Sequence, residues 1–133
     1  HSECFEPQKG EFPVRLLSLY EHLCATIKKF KPESLALETL YFSKNQKTAI
    51  KVAEARGVAE LAASFSGIEV YEYSPQAVKI AVTGSGNAPK EAVIRMVDQL
   101  MKLPKRKRLD DEYDAIALGV AHHASARTIH KPR

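Results

Sequence analysis

Apolar positions in residues 12–30 recur three and four apart, at Leu16, Leu17, Tyr20, Leu23, Cys24 and Ile27. That spacing predicts an amphipathic helix, with Pro13 in its first turn and Pro32 beyond its end. "SLALETL" at 34–40 follows and reads as a buried strand. A longer helix is predicted over 44–65. The alternation in "GIEVYEYSP" predicts a second strand. Ser74 and Pro75 then supply a cap and a first-turn proline for a short helix over 76–83. "GSGNAP" reads as a flexible loop. Residues 90–103 read as a helix carrying Val93, Ile94, Val97, Leu100 and Met101, and "PKRKR" as a charged loop. A last helix is expected from about 111 to 123, and "ECFEP" at 3–7 as a strand end. Strands alternating with helices imply an α/β sheet covered by helices. One domain is expected over 1–125, with 126–133 as a basic flexible tail.

Composition narrows the class without choosing a function. A chain of 133 residues with 44% hydrophobic and 27% charged residues suits one soluble domain. No run has the length of a membrane-spanning helix and no signal peptide is evident, so no membrane role is expected. Cys4 and Cys24 lack zinc-ligand spacing and suit a reducing, cytoplasmic compartment. A net charge of +4 permits a polyanionic partner. Ala49, Ala53 and Gly57 stand four apart in the long helix. They make a small-residue ridge that another backbone could approach, from this chain's own sheet or from a second subunit.

Two features point to chemistry. Glu38 lies in an apolar strand, where a carboxylate is costly unless paired, protonated or metal-bound. In "LDDEYDAIALGVAHH", Asp111 and Asp114 are three apart and project from one helix face. Ala115, Leu118 and Ala121 continue that stripe, which puts both acids on or beside the inward face. Capping and the helix dipole explain Asp110 well, but Asp114, one turn in, less well. Convergent carboxylates repel one another unless a divalent cation neutralises them. Oxygen-only clusters select magnesium or manganese, and such sites typically serve phosphoryl transfer on nucleic acid.

Three long segments carry a resemblance: "LALETLYFSKNQKTAIKVAEARGVAELAA", "YSPQAVKIAVTGSGNAPKEAVIRMV" and "DEYDAIALGVAHH". Together they resemble the RuvC family of bacterial Holliday junction resolvases, over nearly the whole chain. The resemblance implies an RNase H-like mixed sheet flanked by helices. It also implies a homodimer that nicks two opposed strands of a four-way DNA junction using Mg2+, with Mn2+ able to substitute. It assigns Glu38, Asp111 and Asp114 to metal binding and catalysis. Tyr41 would stack on bases at the junction centre, while Lys79 and Lys90 would face phosphates. The long helix would form the dimer. The branch-migration motor proteins RuvA and RuvB would be partners. The family opens with a strand bearing an aspartate in a "GIDPG"-like motif, followed by a second strand. Neither motif is found here, so the chain is expected to be an N-terminally truncated piece of a complete nuclease.

Other features carry less. "TGSGN" is a lone GxG. "KRKR" at 105–108 reads as a solvated or phosphate-facing loop. His122 and His123 sit favourably at a helix end, and His122 recurs in the family. Phe42 reads as core or as a neighbour of the stacking position. The competing functions are a catalytically incomplete junction-binding module, a different RNase H-like nuclease, and a structural domain with a paired glutamate.

Overall fold

The computed structural model describes residues 1–40 and 46–129, excepting the side chains of 126–129. The elements run α1 (Phe12–Phe30), β1 (Ser34–Glu38), α2 (Gln46–Phe65), β2 (Glu69–Tyr73), α3 (Pro75–Thr83), α4 (Lys90–Met101) and α5 (Asp110–Ile129). The chain divides into two compact units. One is Phe5–Tyr71; the other joins His1–Cys4 to the chain from Glu72 onward.

In the first unit, α1 packs against α2, and α2 against β1. β1 pairs with β2 in a two-stranded parallel sheet, the pairing a helical crossover permits. α1 ends at Lys31, which takes the left-handed conformation (φ 48°) and donates its N–H to the Ile27 carbonyl at 2.8 Å. Of the small-residue ridge, Ala49 is buried, Ala53 half-buried and Gly57 exposed. α2 buries Ala62 and Ala63 as well.

The second unit holds the larger core. Val78 and Val82 of α3, Ala88 of the loop that follows, Val93 and Val97 of α4, and Ala117 and Ala121 of α5 form one buried cluster. The α3 start follows its sequence cue: the Ser74 hydroxyl accepts from the Ala77 N–H at 3.0 Å, and Pro75 opens the helix. The loop after α3 is closed down rather than loose. Gly84 adopts φ 80° and donates to the Ile80 carbonyl, and Thr83 Oγ1 bonds both the N–H and the carbonyl of Ser85. A Cβ on Gly86 would come within 2.8 Å of Gln76 Cγ, so a side chain there would have to displace that of Gln76.

Four expectations are corrected. Residues 3–7 form no strand. β1 is half-buried rather than buried, and Glu38 at its end is exposed. The last helix continues to Ile129, six residues past the expected stop at 123, because "AHHASARTI" contains no glycine or proline to end it. Finally, Asp111 and Asp114, expected on or beside the inward face of α5, are not covered by it. Both are exposed, and Glu112 between them is buried.

Candidate active site

The start of α5 gathers carboxylates in two different settings. Outward, Lys90 from the first residue of α4 places Nζ 3.3 Å from Asp110 Oδ2 and 3.3 Å from Asp114 Oδ2. Asp110 and Asp114 are four apart on the helix and so share a face. Partial desolvation works against the lysine's charge, but the hydrogen bonds it donates to Asp114 and Asp110, with their charge, outweigh it and raise its pKa. Asp111 is exposed beside them. The acids also lie where the helix's positive end favours negative charge.

Inward, Glu112 is only 4% exposed. Arg106 grips it with both terminal nitrogens, Nη1 lying 3.1 Å from Oε2. Ser2 Oγ donates to Oε1 at 2.6 Å, and Arg108 Nε stands 3.7 Å away. The Arg106 hydrogen bonds, then that of Ser2, hold this carboxyl below the usual glutamate range. Sequence reading missed Glu112. The available signal was Arg108 four residues ahead of it, but Arg108 precedes the helix, where an i,i+4 rule has no fixed geometry.

Glu38 belongs to the other unit. Its backbone carbonyl accepts a hydrogen bond from the Arg56 guanidinium of α2, and Arg56 is itself steered by Glu60 at 2.9 Å. That contact fixes the end of β1 while leaving the Glu38 side chain exposed. Tyr41 and Phe42 lie outside the described residues. Lys79 is half-buried on α3. His122 is held in place: its Nδ1 is 2.8 Å from the Tyr73 hydroxyl, with the rings edge to face. That is a structural role on α5. His123 is exposed.

The exposed acids at the start of α5 offer carboxylate oxygen, the donor that hard divalent cations take, and the Lys90 ammonium sits between Asp110 and Asp114. Among the described residues, no three His, Cys, Asp or Glu side chains gather as a ready metal-holding group. No described helix is long and apolar enough to cross a membrane.

The profile of the crossover junction endodeoxyribonuclease RuvC family matches residues 1–122. The chain belongs to the RuvC family. It is 46% identical over 125 residues to the RuvC of Moorella thermoacetica, covering 93% of this chain and 75% of that one. It is 47% identical over 120 residues to the RuvC of Brachyspira hyodysenteriae, covering 90% and 74%. The fold superposes on the Thermus thermophilus RuvC structure with a TM-score of 0.87 at 31% identity, over 96% of this chain and 78% of that one. T. thermophilus RuvC in complex with Holliday junction substrate gives 0.84 at 32% identity, over 93% and 74%. The fold is therefore the RNase H-like α/β fold, and the family is one of metal-dependent crossover junction endonucleases.

Proposed function

We propose that the chain is a structure-selective endonuclease that makes paired nicks in opposed strands of four-way DNA junctions. The observation that carries this reading is the family match across residues 1–122, with Asp111 and Asp114 exposed at the start of α5. Glu38, Asp111 and Asp114 would hold the cation, magnesium by preference with manganese as substitute. A cation held there would supply water activation and charge neutralisation at the leaving oxygen.

The chain's own residues do the rest. Arg56 holds the strand end that bears Glu38, and the Glu112 cluster fixes the turn that bears Asp111. Lys90 offsets part of the charge of Asp110 and Asp114 and can yield them to a cation. Lys79 and Lys90 meet backbone phosphates, and Tyr41 stacks on a base at the branch. A homodimer, formed through α2, pairs two such sites for two opposed strands. The setting is the cytoplasm, alongside the motor proteins RuvA and RuvB. A relative solved in complex with Holliday junction substrate supports the choice of DNA.

Glu38→Gln tests the assignment. Nicking should vanish while junction binding persists, because the change removes a ligand oxygen's charge and little else. Retained nicking would remove Glu38 from the site. A second reading, a junction-binding module without catalysis, is favoured by one observation: Lys90 already occupies the Asp110–Asp114 pair. That module would bind junctions and leave them uncut at every magnesium concentration.

A further inference from the structure

We propose, resting on the junction-nuclease reading above, that the 104–108 loop is an additional DNA contact in which Lys105 and Lys107 meet phosphates while Arg106 and Arg108 hold the loop in place. The four basic residues divide by direction. Arg108 turns inward: its side chain is 3% exposed, and its Nη1 donates to the Pro104 carbonyl at 2.9 Å, closing the loop on itself. Arg106 forks onto Glu112 and also reaches the Ser2 carbonyl at 3.3 Å. Lys105 and Lys107, at the intervening positions, are exposed.

Holding the loop accounts for the arginines and leaves the lysines unexplained. Arg106 and Arg108 share one buried carboxylate, Glu112, and the exposed Lys105 and Lys107 add two further charges, so the loop keeps a surplus of positive charge at short range. An incoming polyanion relieves that repulsion. The loop is pinned at both ends before anything binds, so little conformational freedom is lost when it engages. A nucleic-acid backbone fits because its phosphates are closely and regularly spaced and need no base-specific geometry. The loop also runs directly into Asp110 and Asp111, so a strand held there lies beside the candidate catalytic acids in sequence.

The test is fluorescence anisotropy of the full chain with a labelled four-way junction and a linear duplex, across a potassium chloride series. In Lys105→Ala/Lys107→Ala, the slope of log affinity against log salt should fall by about 0.9 for each phosphate no longer neutralised. An unchanged slope, or a parent chain that binds neither DNA, overturns the proposal. A reduced slope in a parent that binds junction and duplex equally upholds the loop's role and overturns junction selectivity, so the two failures are separable. Arg106→Lys keeps the charge and removes the fork onto Glu112. It should weaken binding at an unchanged slope, and unaltered affinity would contradict the holding role of the arginines.

Discussion

Glu112 and Asp114 stand two residues apart on α5 and live in opposite surroundings. Glu112 is buried, gripped by Arg106, met by Ser2 and approached by Arg108. Asp114 is exposed and shares a single lysine with Asp110. The first arrangement is a structural anchor: its partners are fixed and its carboxylate is inaccessible. The second is an exchangeable one, in which water or a cation can replace the lysine. The same functional group, on opposite faces of one helix, is thus committed to the fold in one case and available to chemistry in the other.

Breaking the anchor should have the largest effect. Glu112→Ala leaves the Arg108 side chain buried without its carboxylate, and an unpaired buried charge is among the costliest changes a fold can meet. Its thermal midpoint should fall further than that of Val97→Ala, which removes buried core volume worth about 2 kcal/mol. An equal or smaller fall, by calorimetry, would move Glu112 out of the anchor role.

Asp114→Asn and Asp111→Asn should do the reverse, leaving the midpoint nearly unchanged and suppressing nicking. Losing a metal's outer partner alone costs roughly 10–100-fold, so losing a ligand should exceed about 100-fold. Single-turnover nicking at saturating magnesium measures this, and a smaller loss would return that aspartate to the surface.

Acid should sharpen the same contrast. The Glu112 carboxyl is held below the ordinary value of about 4.5, so its contribution to stability is complete above that value and is lost as pH falls through the lowered one. Denaturant midpoints from pH 6 down to pH 3 should therefore decline more steeply in the parent than in Glu112→Gln. Parallel curves would show that Glu112 contributes nothing to acid unfolding. Smallest of all, Lys79→Ala should lower the salt slope of junction binding by about 0.9 without affecting the fold, and an unaltered slope would keep Lys79 off the DNA.

Much of this was legible where the physics is local. The Ser74–Pro75 start of α3 needs only its own side chains, and it forms as its sequence predicts. The phase of α5 was not legible. Ala115, Ala117, Gly119 and Ala121 put small residues on every side, so spacing alone could not say which face turns inward. The choice falls to α3 and α4, which bury Ala117 and Ala121, while Asp114, on the same stripe one turn earlier, stays exposed. Glu38 was found for a reason the structure does not bear out. The strand's apolar neighbours suggested burial, but among the described residues β1 pairs with β2 alone and its end stays exposed. The tie from Arg56 to the Glu38 carbonyl spans eighteen residues and has no signature in spacing.

The central claim is that the exposed acids serve metal-dependent cleavage of branched DNA. Incubating the chain with a synthetic four-way junction and a matched linear duplex, with and without magnesium, tests it most directly. The account predicts paired nicks in the junction alone, and only with magnesium. Equal cutting of the duplex, or junctions bound and left intact with magnesium present, would contradict it.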